Sequence, residues 1–255
     1  MRRLLGTIAV LVLAGSAVSM SLDRYRSRNL GAVQRGYRIA DRTGCFTCHG
    51  PGGHRGMPDP GHGLEDVPPW SGGILATYAD SEAEIRQWIV DGLPESVRKD
   101  PEQMKLRARA VIRMPAFGEI LSEAEVSDLV AYVEAVGDFE KPKDGRAEEG
   151  RQVALRFGCF NCHGPQGRGA LSNARSLKGY VPSWDGADFT ELARDDQEIR
   201  DWVFDGGTRR VVSSLMARFF LERQPVKMPA YRGYVTDDEA ARLVDYIHWL
   251  RLHPY

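Results

Sequence analysis

Cys45-Phe46-Thr47-Cys48-His49 and Cys159-Phe160-Asn161-Cys162-His163 contain all four cysteines of the 255-residue chain. Two thiols two residues apart, followed at once by an imidazole, form the pattern that fixes a c-type haem. Each thiol can add across one vinyl group of a porphyrin, and the adjacent imidazole then sits under the iron. A covalent tether keeps such a group in place even in a domain with little core. The halves of a zinc ribbon lie about 15–20 residues apart, whereas Cys48 and Cys159 are 111 positions apart. A thioredoxin-like redox pair needs neither a histidine after its second cysteine nor a second copy. The pattern predicts two covalent haem c groups, held by Cys45, Cys48, Cys159 and Cys162, with His49 and His163 as proximal ligands.

The chain repeats itself at a fixed offset of 114 residues, the distance from Cys45 to Cys159. Gly36 maps to Gly150, Trp70 to Trp184, Trp88 to Trp202, and Asp91-Gly92 to Asp205-Gly206. No gap interrupts the register. The period is domain-sized, so it marks two tandem domains and not a solenoid.

The offset also selects the sixth ligands from seven methionines. Met57, Met104 and Met216 have no counterparts, but Met114-Pro115-Ala116 maps to Met228-Pro229-Ala230. Each of these two methionines lies 65 residues after its histidine. A following proline restrains the methionine to extended backbone, which suits it to present a thioether across the ring. His49 with Met114 and His163 with Met228 are the expected iron ligands. Such ligation fills both axial positions and raises the potential, which favours electron transfer over substrate binding.

In this order the residues resemble a class I cytochrome c domain, twice. The marks are Gly36 or Gly150 in a first helix, the cysteine–histidine motif, the Met-Pro loop, and Leu-x-x-Tyr at Leu129/Tyr132 and Leu243/Tyr246. The resemblance covers residues 32–137 and 146–253. It implies an all-α fold with long loops around the porphyrin, and a tyrosine filling each helix crossing beside the glycine. It also gives Trp70 and Trp184 a role, since such domains use a tryptophan N–H to hold a haem propionate; core packing is the competing reading. The segments 93–113 and 207–227 look helical and charged, longer than a minimal domain of this kind needs.

The expected domains are an anchor or signal segment at 1–30, domain 1 at 31–137, a linker at 138–145, and domain 2 at 146–255. Ser81-Glu82-Ala83-Glu84 and Asp195-Asp196-Gln197-Glu198 read as matched helix starts, with the glutamate returning to the cap backbone. Gly92 and Gly206 read as left-handed helix stops. Ser122 and Thr236 open the last helices, where Val126, Leu129, Val130 and Val133, and Ala240, Leu243, Val244 and Ile247, recur at helical spacing. No alternating strand pattern is present. His54, His62, His248 and His253 read as surface residues. The short Pro- and Gly-bearing linker should hold the domains side by side, so that electrons pass between haems within the chain.

The formal charge of −1 excludes a nucleic-acid role on bulk electrostatics. The halves differ, with 11 Lys/Arg against 17 Asp/Glu in residues 31–138 and 15 against 15 in residues 147–255. Arg2-Arg3 followed by 19 uncharged residues, Leu4 to Leu22, has the form of an export signal. The run is also long enough to span a bilayer if retained, and covalent haem attachment itself follows export. The sequence therefore predicts a dihaem electron relay on the periplasmic side of a membrane, tethered by an N-terminal helix or soluble after cleavage. Its expected partners are a redox protein donor and acceptor, with subunits of a membrane respiratory or photosynthetic complex among them. A dihaem peroxidase, a thiosulfate-oxidising enzyme and the cytochrome subunit of a dehydrogenase are the alternatives. An enzyme of that kind needs one iron with an open or labile site, against which the two matched methionines argue.

Overall fold

The computed structural model describes Ser21 and residues 28–61, 65–143, 145–169 and 171–255. Most of the expected anchor segment, and His62, lie outside the described residues. Among the described residues no helix is long and apolar enough to cross a membrane. The architecture is all-α; among the described residues, extended pairing is limited to the isolated bridges Pro58–Asp66, Ser172–Tyr180 and Arg232–Val235.

The first half runs α1 (Ala32–Arg42), α2 (Cys45–His49), α3 (Glu82–Asp91), α4 (Glu95–Lys99), α5 (Pro101–Arg109) and α6 (Glu123–Gly137). The second repeats it as α7 (Gly145–Arg156), α8 (Phe160–His163), α10 (Asp196–Asp205), α11 (Arg209–Ser213), α12 (Leu215–Arg223) and α13 (Asp237–Leu252). The short α9 (Ala187–Leu192) is added before α10. The helices expected before each methionine are thus α4 with α5, and α11 with α12.

Each half is built on the crossing of its first and last helices, α1 with α6 and α7 with α13. Gly36 permits the first crossing: a Cβ there would lie 2.0 Å from the Asp128 carbonyl oxygen and 2.6 Å from Cβ of Tyr132. Gly150 does the same in the second, at 1.9 Å from the Arg242 carbonyl oxygen. The two tyrosines close the crossings as expected. Tyr132 donates to the Gly52 carbonyl at 3.1 Å, and Tyr246 to the Gln166 carbonyl at 3.0 Å. Beneath them lie two separate cores, one holding Val33, Ile85, Val126, Leu129 and Val130, the other Val153, Ile199, Leu243, Val244 and Ile247. Each such fully buried branched side chain contributes about 1.5–3 kcal/mol.

The caps follow the local sequence. Ser122 with Glu125 and Thr236 with Glu239 form reciprocal capping boxes. Gly92 and Gly206 end α3 and α10 in left-handed backbone. One detail differs from the sequence reading. Ser81 and Asp195 do cap Glu84 and Glu198, but those glutamates accept from Asp80 and Arg194, one residue before the cap. Glu84 also bonds Ser96, and Glu198 bonds Arg210, so each carboxylate is drawn away from the cap toward the next helix.

Candidate haem-binding sites

Each half holds an apolar cavity, of about 300 Å³ in the first and about 290 Å³ in the second. Cys45, Cys48, His49 and Met114 lie on the wall of the first. Cys159, Cys162, His163 and Met228 lie on the wall of the second. The cysteines of each pair are three residues apart at a helical turn, so both thiols come from one face. No disulfide joins any of the four cysteines. Burial raises the Cys45 thiol above its ordinary value and pushes the Cys159 thiol up to about 11.

The imidazoles are oriented by backbone. Nδ1 of His49 lies 2.9 Å from the Pro68 carbonyl oxygen, and Nδ1 of His163 lies 3.0 Å from that of Pro182. A carbonyl only accepts, so Nδ1 carries the proton and Nε2 keeps its lone pair for a metal. Burial lowers the His49 pKa and pushes that of His163 down to about 4, against the raising effect of these carbonyls. Both rings are therefore neutral at pH 7, the state in which imidazole ligates. Trp70 and Trp184 are buried against them, ring centroids 4.8 Å and 5.0 Å away.

The methionine loops are pinned from two sides. Phe117 donates its backbone N–H to the Ile89 carbonyl, and Tyr231 donates to that of Val203. A Cβ on Gly92 or Gly206 would meet the carbonyl oxygen of Met114 or Met228 at 2.5 Å or 2.6 Å. Upstream, the buried Asp59 carboxylate accepts from the backbone of Val111 and Ile112. Its counterpart Asn173 exchanges two hydrogen bonds with Val226. The sequence reading missed Asp59 and Asn173, although the offset of 114 pairs them. It also missed the Pro68 and Pro182 carbonyls, which no side-chain pattern announces.

Met57 and Met104 line neither cavity, whereas Met216, mostly exposed, edges the second beside α12. His54 is exposed; His248 pairs with Asp196 at 2.8 Å, and His253 bonds the Trp249 carbonyl. Trp88 and Trp202 line the cavities and donate to the Tyr78 and Leu192 carbonyls, each at 2.9 Å.

Paired thiols, a neutral imidazole with one free nitrogen, a thioether and an apolar cavity match the donor set of a covalently bound, six-coordinate haem. A family model for cytochrome c matches residues 33–137 and again 147–251. This chain belongs to the cytochrome c family. Its two cytochrome c domains carry two covalently bound c-type haems and serve haem-based electron transfer. It is similar to the "Cbb3-type cytochrome c oxidase subunit FixP" of Azorhizobium caulinodans, with 28% identity over 134 residues. That match takes in 52% of this cytochrome and 39% of the relative, so the chain spans well under half the relative's length. No solved structure matches the chain significantly.

Proposed function

We propose that the chain relays single electrons between redox proteins on the periplasmic side of a membrane, through two His/Met-ligated haems. The carrying observation is that each cavity wall holds a histidine whose Nδ1 is occupied by a carbonyl and a methionine on a loop pinned by backbone bonds. His49 with Met114 and His163 with Met228 would hold the irons, and the four cysteines the porphyrins. The haem supplies a one-electron couple. The chain's own part is to exclude water with apolar walls, fix the ligand tautomer, and keep both ligands at hand in both oxidation states. Trp70 and Trp184, packed on the proximal imidazoles, would hold those rings still, and their indole N–H groups would hold a propionate.

The relative's printed name makes it a subunit of an oxidase. That supports a place for this chain in a membrane electron-transport complex, with the 1–30 segment as the tether. Redox titration with ligand-sensitive spectroscopy on the mature protein tests the reading. Two low-spin centres with no reaction toward peroxide are expected. A high-spin resting haem with peroxide turnover would replace the relay with a dihaem enzyme.

A further inference from the structure

Where the halves meet, the 114-residue repeat changes at two positions separated by a single residue. Gly52 of the first half becomes Gln166 in the second, and His54 becomes Arg168. Gln166 keeps the left-handed backbone of its glycine counterpart, φ 55 against 64, although it carries a Cβ. Its side chain reaches across the joint. Nε2 donates to Asp138 at 3.1 Å, and Asp138 is itself left-handed at φ 58, directly after α6. Arg151 of α7 holds the same carboxylate at 3.1 Å.

Arg168 is completely buried, where His54 is exposed. It donates to Asp185 at 2.9 Å and to the His253 carbonyl at 2.5 Å, which holds the segment after α13 in place. Its guanidinium lies 4.7 Å from the centroid of the Tyr255 ring. Tyr255 belongs to the second half by sequence, yet it packs against the core of the first. Between the two substituted positions, Gly167 abuts Trp184: a Cβ there would lie 2.4 Å from the indole. Trp184 in turn packs on His163. One turn of chain therefore bonds the end of α6, supports the ring behind the second proximal histidine, and clamps Tyr255.

We propose that Tyr255, clamped by Arg168, is a positioning residue for electron passage between the two haems. It fixes the second domain on the first, so that the two centres keep one separation. This rests on the relay reading. A buried cation over an aromatic face favours a single docked arrangement, and transfer from that arrangement scales with the fraction of molecules that occupy it.

The test uses the full chain with both haems, as wild type, Tyr255→Phe and Tyr255→Ala. It follows amide hydrogen exchange in 138–143 and 165–168, both midpoint potentials, and the equilibration rate of an electron delivered by pulse radiolysis. Tyr255→Ala is expected to raise exchange in both segments. It should also slow equilibration by about tenfold, the change that follows when the docked fraction falls tenfold, with both potentials unmoved. Tyr255→Phe keeps the ring and should match wild type throughout. Unchanged exchange or an unchanged rate in Tyr255→Ala overturns the proposal, and so does an equal loss in Tyr255→Phe. Wild-type protein whose two haems exchange no electron overturns the relay itself, a result seen before any variant is made.

Discussion

Nδ1 of His163 donates to the carbonyl oxygen of Pro182 at 3.0 Å, and His49 repeats the bond with Pro68 at 2.9 Å. Each ring is thus assigned its tautomer by backbone alone. Because Pro182 and Trp184 lie on one short loop, the same segment orients the imidazole and packs a ring on it. The first half reproduces this unit with Pro68 and Trp70.

Met114→Ala and Met228→Ala should each leave the haem attached, since the thiols and the proximal histidine are untouched. The affected centre should fall in potential by on the order of 100 mV, a fraction of the ~0.8 V range that axial ligands span. It should also bind small ligands such as carbon monoxide. Redox titration and ligand-difference spectra of each variant check this; two unmoved potentials would refute the ligand assignment.

Gly150→Ala should destabilise the second domain by about 3 kcal/mol, because its Cβ would overlap the Arg242 carbonyl and force α7 off α13. That loss corresponds to a fall of about 10–20 °C in melting temperature for a domain of this size. Calorimetry should show the second transition lowered and the first little changed.

Glu134 supplies a pH dependence. Burial, then the nearby Glu82 and Glu140, raise its carboxyl from the usual carboxylate range to about 7. The folded state therefore binds more protons than the unfolded state between about pH 4.5 and 7. Its contribution is most favourable below 4.5 and is lost as pH rises through 7. Since the group is only partly buried, the effect is on the order of 1 kcal/mol after solvent screening. Glu134→Gln should flatten the stability profile of the first domain across that window and stabilise it above pH 7. Denaturant titrations at pH 5 and 8 provide the check, and an equal slope in both proteins would disprove the assignment.

Gln166→Gly should separate local stability from docking. Glycine relieves a left-handed backbone that costs about 1 kcal/mol or more, but removes a hydrogen bond to a carboxylate worth about 1.5–3 kcal/mol. Unfolding of the second domain should move by no more than about 1–2 kcal/mol, the difference between these terms. Proteolysis within 139–143 should nevertheless become faster, as Asp138 keeps its bonds to Arg151 and Lys141 but loses the one to Gln166. Wild-type cleavage rates in the variant would show that this bond does not hold the joint.

The haem-facing side of each domain was largely legible because its chemistry is local or duplicated. A thiol pair with its histidine is a contiguous pattern, and Met114 differs from Met57 and Met104 in having a counterpart, Met228, at the same distance of 65 residues from its histidine. Met114 and Met228 lie on the cavity walls, and Met57 and Met104 do not. Gly36 with Tyr132 was legible through the resemblance to class I cytochrome c domains, in which a first-helix glycine lets the last helix approach closely. Asp59 and Asn173 were not, because a carboxylate and an amide share little as letters. They act alike only through the backbone 53 residues downstream that both meet, at Ile112 and Val226.

What the amino-acid order determined by itself is the pair of helical domains, the thiols and imidazoles, and the two methionine loops. These depend on spacing along the chain and on helical periodicity, both of which one strand of sequence carries. What only the tertiary structure decided is the joint between the domains. Gln166, Arg168 and Tyr255 look like ordinary departures from a repeat until folding sets them against Asp138 and the core of the other half. A buried charge or a left-handed backbone is stabilised by groups far away in sequence, so its role exists only once those groups have been brought together.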